Sequence, residues 1–206
     1  MNESLKDVWK NPEIIDWLDR GPLHETRHSL SAICPMITQS LKQNPKYRIL
    51  DVACGPGSAL KRMLYKKVPV TPNRYLGVDY SPRALELAKK HFPKYTFKML
   101  NVVEDKLPPF EIVTCMDILQ HLENPMTLME NVYQATKKIC FINTWAKIGG
   151  EDWNRHHIAP AMSGKFRCLH RVFDLEKLEK GLLKFNWKLV YSNITVSNEW
   201  AGILVK

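Results

Sequence analysis

The sequence of 206 residues has no apolar run that approaches the roughly 20 residues needed to cross a bilayer. Residues 1–20, MNESLKDVWKNPEIIDWLDR, lack the basic start, apolar centre and small-residue cleavage site of a secretion signal. Cysteine is scarce, with five residues and no CxxC pair, which argues against a disulfide framework and a zinc site. These absences predict a cytoplasmic protein with reduced thiols, no metal centre and no membrane partner.

Acidic residues are in the minority. Lysine and arginine number 30 against 21 aspartates and glutamates, which gives a formal charge of +9. A basic surface attracts anionic partners, either an acidic metabolite or RNA. Because the basic residues are not gathered into one run, we expect a small anionic ligand rather than nucleic acid. The sequence leaves the oligomeric state open.

From residue 47 onward, short apolar segments typical of strands alternate with segments of helical periodicity. This alternation predicts a parallel sheet with helices on both faces. The predicted strands cover residues 47–52, 75–79, 95–100, 110–116 and 138–145. After a last helix that starts at Asp174, NWKLVYSNITV and NEWAGILVK follow each other too closely for a parallel crossover. These two segments are therefore predicted to pair antiparallel.

A glycine turn, LDVACGPG, ends the first predicted strand. Gly55 and Gly57 allow the backbone to turn tightly and to approach a ligand closely. Asp79 ends the next strand, a little over twenty residues downstream, where a carboxylate can accept hydrogen bonds from both hydroxyls of a ribose. The pair predicts an adenosine-containing ligand. A nicotinamide site would have a third glycine at the position of Leu60, and Pro56 removes one N–H that a pyrophosphate could use. Both features argue against a nicotinamide dinucleotide.

Four segments in order resemble the motifs of the class I S-adenosylmethionine-dependent methyltransferases: ILDVACGPG, YLGVDYS, FKMLNVVED and FEIVTCMDILQHLENP. The first has Ala53 where the family usually has glycine. The resemblance covers about residues 47–206. It implies an α/β fold with a Rossmann-like doubly wound seven-stranded sheet, mostly parallel with an antiparallel C-terminal strand. Residues 1–46 would then form an N-terminal helical lid segment, and residues 47–206 the methyltransferase domain.

The resemblance also implies which residues contact S-adenosyl-L-methionine. Where the family often has an aspartate beside the adenine, this sequence has Asn101, which can hydrogen-bond without a charge. Arg27 is equally well explained as a solvated helix arginine. The implied cofactor-binding residues are Asp51, Ala53, Cys54, Gly55 and Gly57 at the methionine part, Asp79 and Tyr80 at the ribose, Asn101 and Val102 at the adenine, Cys115 and Met116 at the amino group, and Arg27 at the carboxylate.

We expect the acceptor pocket to be formed by two parts of the chain that lie outside the family motifs. These are the N-terminal segment with Trp9 and Trp17 and an insertion at about residues 146–172. An insertion of this length is commonly a lid or binding loop. Candidates for acceptor binding in or beside it are Trp145, Trp153 and Arg155. His156 or His157 is a candidate general base, although a position as a surface polar residue is the favoured explanation for both. His121 is expected to shape the cofactor side.

Methyl transfer is an in-line displacement, so the protein mainly aligns the acceptor and excludes water, and no invariant catalytic motif is expected. The favoured function is a small-molecule methyltransferase. Two alternatives stay open. The basic composition allows an RNA or protein methyltransferase, and Ala53 and Asn101 allow a non-catalytic partner subunit that binds the cofactor.

Overall fold

The computed structural model describes residues 8–20, 28–158, 167–195 and 197–206. The strands are β1 (Ile49–Val52), β2 (Tyr75–Asp79), β3 (Thr96–Met99), β4 (Phe110–Met116), β5 (Thr136–Lys147), β6 (Trp153–Ile158), β7 (Arg167–Asp174), β8 (Lys188–Ile194) and β9 (Glu199–Val205). The α-helices are α1 (Pro12–Arg20), α2 (His28–Gln43), α3 (Ser58–Tyr65), α4 (Pro82–His91), α5 (Pro125–Ala135) and α6 (Leu175–Leu183). Short 3-10 helices lie at Val8–Lys10, Pro72–Arg74 and Leu119–His121.

The central sheet confirms the predicted fold class. Its strand order is β3-β2-β1-β4-β5-β9-β8, and the first five of these strands are parallel. Strand β9 runs antiparallel to both of its neighbours, β5 and β8. The strand order reverses between β1 and β4, and in open α/β sheets ligands bind at the carboxyl ends of the strands at such a point. The turns after β1 and β4 therefore meet where a ligand site is expected.

The insertion after β5 contains regular structure that the sequence did not predict. Strands β6 and β7 pair antiparallel, and β7 pairs parallel with the last two residues of β5. The described sheet therefore has nine strands rather than the seven expected, because this hairpin extends it beyond the end of β5. Pairing in a hairpin satisfies backbone groups that a long loop would leave to solvent.

Two apolar clusters hold the sheet between its helices. On one face, Leu128 of α5 and Leu182 of α6 pack with the strand residues. On the other face, Ile37 of α2, Leu60 of α3 and Leu85 of α4 do the same. Helix α2 is thus part of the core, although it falls within the predicted lid segment, and the division at residue 46 stays a prediction. No helix in the described residues is both long and apolar enough to cross a membrane.

Side-chain caps at two helix starts agree with the sequence. The Ser81 hydroxyl accepts a hydrogen bond from the backbone N–H of Ala84 at 3.4 Å, at the start of α4. Asp174 Oδ1 accepts one from the N–H of Lys177 at 3.0 Å, at the start of α6. Such caps satisfy backbone donors that have no partner within the helix. The cap at Ser81 also fixes the direction in which the chain leaves β2.

We expect Gly77→Ala to lower the free energy of unfolding by about 1–3 kcal/mol, the usual cost of overpacking a core. A Cβ at Gly77 would lie 2.7 Å from the Phe97 ring and 2.9 Å from Cys54 Sγ. The matched control is Gly181→Ala in α6, whose Cβ would meet only the flexible end of Met126, at 3.3 Å. Denaturant unfolding of both variants is the measurement. Equal stability of the two variants would contradict this packing.

Candidate functional site

The turn after β1 is built from left-handed backbone. Ala53 has φ 56°, Gly55 has φ 54° and Gly57 has φ 89°. The Cys54 N–H donates to the Val78 carbonyl at 3.0 Å, which joins the turn to β2. A non-glycine residue in this region costs about 1–2 kcal/mol, and such strained residues cluster at functional sites. This explains why glycine is the usual residue at the position of Ala53.

Asp79 holds the glycine turn in place. Its Oδ2 accepts a hydrogen bond from the Gly55 N–H at 2.9 Å, and its Oδ1 accepts one from the Ser81 N–H at 2.9 Å. Burial raises the pKa of this carboxyl, and the backbone donors oppose that rise. An ionised carboxylate offers about four lone-pair positions, so Asp79 can accept from further donors in the cavity that it lines.

Asp51 lies in the middle of β1 and is almost completely buried. The Tyr75 hydroxyl donates to its Oδ2 at 2.6 Å, and the Thr114 hydroxyl donates to its Oδ1 at 2.7 Å. Burial raises the pKa of Asp51 to about 6, and the two hydroxyl donors offset part of the effect. The carboxyl is thus held by its neighbours in the sheet, with one side toward the cavity.

The loop after β4 contains a second strained residue that sequence reasoning missed. Asp117 has φ 55°, and its N–H donates to Asn143 Oδ1 at 2.8 Å. Asn143 Nδ2 donates back to Asp117 Oδ1 at 3.4 Å. The available signal was Asp117 directly after β4, with the polar Asn143 inside the neighbouring parallel strand β5. This pair fixes the start of the loop that carries His121.

These turns surround a cavity of about 240 Å³ at the carboxyl ends of β1, β2 and β4. Among the predicted cofactor residues, those that line it are Asp51, Ala53, Cys54, Gly55, Asp79, Tyr80, Asn101, Val102 and Met116. Gly57 and Cys115 are not among the lining residues. A Cβ at Gly57 would meet Phe92, and Cys115 is fully buried. Arg27 lies outside the described residues.

The N-terminal segment covers part of this cavity. Trp9, Ile15 and Leu18 line it. Ile15 and Leu18 pack on α4, and Arg83 Nε of that helix donates to Asp16 Oδ1 at 2.7 Å. Trp9 agrees with the expectation that this segment contributes to the pocket, whereas Trp17 packs in a small cluster with Val8 and Ile14 and does not line the cavity. The segment is therefore placed to exclude water from the site.

His121 lies in the 3-10 helix after β4 and lines the cavity. Its Nδ1 is 2.7 Å from the Leu169 carbonyl oxygen of β7. The Trp9 ring lies against it, with 4.5 Å between ring centroids. The ring is thus held by contacts from the hairpin and from the N-terminal segment. The sequence analysis predicted that His121 shapes the cofactor side of the site, but it did not predict these contacts.

The predicted acceptor and base residues of the insertion are not brought to the cavity by any described contact. Trp145 is half-buried near the end of β5, with its ring 5.4 Å from that of His170, and it does not line the cavity. The others lie on β6, where Trp153, Arg155, His156 and His157 pair in register with Val172, His170, Leu169 and Cys168. Their roles stay predictions.

Residues 50–141 match the family described as "Methyltransferase domain". The chain is 36% identical over 97 residues to the mitochondrial ubiquinone biosynthesis O-methyltransferase of Schizosaccharomyces pombe, a match that covers 41% of this chain and 34% of that protein. It is 30% identical over 132 residues to the ubiquinone biosynthesis O-methyltransferase of Dechloromonas aromatica, covering 61% and 45%. The chain thus spans less than half the length of these two relatives.

Two solved structures share the fold over nearly the whole chain. Magnesium protoporphyrin IX methyltransferase from Synechocystis PCC 6803, crystallised with bound S-adenosylhomocysteine, superposes with a TM-score of 0.70 at 13% identity and covers 98% of each chain. The 1,6-didemethyltoxoflavin-N1-methyltransferase of Burkholderia thailandensis superposes with a TM-score of 0.71 at 15% identity, covering 98% of this chain and 88% of that one. At these identities the likeness concerns the fold.

We expect Asp51→Asn to gain stability relative to the wild type as pH rises. Because the pKa of Asp51 is about 6 in the folded protein and 3.8 ordinarily, the folded state holds an extra proton between these values. The stability that Asp51 contributes therefore falls as pH rises through this window. The amide still has both hydroxyl partners, since hydroxyls donate or accept. The difference in unfolding free energy should shift by about 3 kcal/mol in favour of the variant.

Denaturant unfolding from below pH 4 to above pH 6 measures this difference. The control is Glu104→Gln, the same kind of change at an exposed carboxyl. A flat difference for Asp51→Asn would contradict the raised pKa.

Proposed function

We propose that this chain is a class I S-adenosylmethionine-dependent methyltransferase, which transfers a methyl group from S-adenosyl-L-methionine to a small-molecule acceptor. The match of residues 50–141 to the methyltransferase domain family supports the proposal. The observation that carries the proposal is the hydrogen bond from the Gly55 N–H to Asp79 Oδ2, between two residues that line the cavity. The turn and a carboxylate suited to a ribose thus lie side by side, next to the switch point of the sheet, which supports a nucleoside ligand there.

The residues around the cavity fit the proposed cofactor. A Cβ built on Gly55 meets no protein atom within 4 Å, so the glycine leaves space on the cavity side where a ligand can lie against the backbone. Asp79 would accept from the ribose hydroxyls, and Asn101 and Val102 would border the adenine. Asn101 Oδ1 accepts a hydrogen bond from the Val103 N–H at 3.2 Å. The side-chain NH₂ group of Asn101 would then donate to a nitrogen of the adenine. When bound, the cofactor supplies an electrophilic methyl group on a sulfonium.

The acceptor is proposed to be an aromatic or otherwise apolar small molecule with a hydroxyl group. Trp9, Ile118 and Leu122 contribute apolar surface to the cavity that His121 lines. Both curated relatives reported above are named O-methyltransferases, which supports oxygen as the acceptor atom. The formal charge of +9 supports an anionic group on the acceptor, with nucleic acid as the less favoured partner.

A cytoplasmic location is also part of the proposal. The described cysteines Cys34, Cys54, Cys115 and Cys140 are buried free thiols, as in proteins of reducing compartments. The relative from Schizosaccharomyces pombe is named as mitochondrial. Localisation of a tagged full-length chain would decide between these compartments.

We expect the wild-type protein to bind S-adenosylmethionine and S-adenosylhomocysteine in calorimetry, and not NAD. Asp79→Ala should weaken S-adenosylhomocysteine binding by about 1–3 kcal/mol, because it removes a charged hydrogen-bond partner. Glu86→Ala, at an exposed acid of α4, is the control and should bind normally. Binding of NAD without S-adenosylhomocysteine would reject the proposed function, and an unchanged affinity of Asp79→Ala would reject the ribose assignment.

We expect Gly55→Ala to fold but to lose at least about tenfold in S-adenosylhomocysteine affinity, which corresponds to about 1.4 kcal/mol. The new methyl group would occupy space in the cavity. Because Gly55 has a left-handed φ of 54°, the variant should also lose about 1–2 kcal/mol of unfolding free energy, which still allows it to fold. Gly149→Ala is the matched control. Its φ is 76°, its Cβ also meets nothing within 4 Å, and it does not line the cavity.

Calorimetry and denaturant unfolding of both variants separate the two effects. Loss of affinity in Gly55→Ala alone is the expected result. Unchanged affinity in both variants would show that the ligand does not approach the turn.

A further inference from the structure

A compact turn at residues 101–105 lies between β3 and β4, and its first three residues line the cavity. The Asp105 N–H donates to the Asn101 carbonyl at 2.7 Å, and the Asn101 N–H donates to Asp105 Oδ2 at 2.7 Å. The Val103 N–H donates to Asn101 Oδ1 at 3.2 Å. These bonds give the turn its shape, but they do not fix its position relative to the sheet.

The side chain of Asn131 connects this turn to helix α5. Its Nδ2 lies 3.2 Å from the Val102 carbonyl oxygen and 2.9 Å from that of Val103, and a longer contact of 3.5 Å reaches the Asp105 carbonyl. Because carbonyl oxygens only accept hydrogen bonds, the NH₂ group of the amide must face them. One side chain thus holds three carbonyl groups of the same turn.

The turn is therefore attached on two sides. Directly before it, the Leu100 N–H donates to the Asp79 carbonyl at 3.0 Å, which ties the chain to the end of β2. On the other side, Asn131 ties the turn to α5. Leu128 and Val132 of this helix are fully buried in the core against the sheet, so α5 is a fixed support rather than a second loop.

We propose that Asn131 is a positioning residue that sets the selectivity of the cofactor site for its base, an inference that rests on the proposed function. Asn131 does not line the cavity, so it acts through the turn. The turn carries Asn101 and Val102, which are proposed to border the adenine. By fixing the turn, Asn131 keeps the groups that face the base at one place along its edge.

Selectivity for the base follows from this rigidity. A polar group that is held in place discriminates between ligands, because a base with a different pattern of donors and acceptors leaves that group unpaired. A turn that is free to shift can adapt to either base. A side chain that only stabilised the fold would instead change the affinity for all nucleoside ligands alike.

The probes are S-adenosylhomocysteine and S-inosylhomocysteine, which differ only at one edge of the base. Adenine has an acceptor nitrogen beside an amino group, whereas hypoxanthine has an N–H donor beside a carbonyl oxygen. The ribose and the amino acid part are the same in both ligands. Their relative affinity therefore reports the contacts of the base edge alone.

The test variant is Asn131→Asp, which replaces Nδ2 by an oxygen of similar size. At about pH 8 the new carboxylate is ionised, and it repels the carbonyl groups that Nδ2 held. The matched control is Gln134→Glu, the same amide-to-carboxylate change at an exposed position of α5. Both changes add an acid near the carboxyl end of this helix, so their effects on the helix dipole are alike.

Calorimetry of the wild type and both variants with the two ligands is the measurement. The wild type should prefer S-adenosylhomocysteine by at least about tenfold, the equivalent of one hydrogen bond. Asn131→Asp should lose about tenfold in affinity for S-adenosylhomocysteine and less than about threefold for S-inosylhomocysteine, while Gln134→Glu keeps the wild-type preference. An equal loss on both ligands, or an unchanged preference in Asn131→Asp, would overturn the proposal.

A readout on the wild type alone is hydrogen exchange of the side-chain amide groups, measured by NMR. The Asn131 NH₂ group should exchange more slowly than that of Gln134, because its hydrogens are bonded to the turn. Equal exchange would overturn the proposal even if Asn131→Asp failed to fold.

The wild-type affinities separate this inference from the proposed function. If the wild type binds S-adenosylhomocysteine but shows no preference over S-inosylhomocysteine, the role of Asn131 in selectivity is wrong while the cofactor assignment stands. If it binds neither ligand, the proposed function fails.

Discussion

The site depends on one carboxylate that joins the ends of two neighbouring strands. Asp79 ends β2 and accepts from the Gly55 N–H of the turn after β1 and from the Ser81 N–H at the start of α4, both at 2.9 Å. The turn is strained, with φ 56° at Ala53 and 54° at Gly55, and a hydrogen bond to a charged acceptor helps to hold it. Asp79 also lines the cavity, so the group that holds the turn is in position to contact a ligand bound there.

The N-terminal segment and the β6–β7 hairpin both contribute contacts around this site. The N-terminal segment covers the cavity with Trp9 and is tied to α4 by the pair of Asp16 and Arg83. The hairpin contacts His121, which lines the cavity, through the Leu169 carbonyl. Both contact the loop after β4, whose start is fixed by the bonds between Asp117 and Asn143. Parts that are far apart in sequence thus meet at His121.

Local sequence patterns predicted the strands and helix starts of the sheet. The hairpin and the contacts around the loop after β4 depend on pairing between distant residues, which local patterns do not show. Buried parallel strands such as β1 read as compact apolar runs, and Ser81 marks a helix start by its capping chemistry. The hairpin was missed because the polar and aromatic residues of β6 show no clean alternation, and its pairing partner follows an intervening segment. Asp117 and Asn143 are 26 positions apart, so only the sheet register brings them together. The contact between the rings of Trp145 and His170 likewise depends on the fold and could not be predicted from residue type.

A crystal structure of the protein with S-adenosylhomocysteine tests the central claim most directly. The account predicts that both ribose hydroxyls lie within hydrogen-bonding distance of the Asp79 carboxylate, that the ligand passes against the Gly55 backbone, and that the adenine lies beside Asn101 and Val102. A nucleoside bound elsewhere, or ribose hydroxyls with no contact to Asp79, would contradict it.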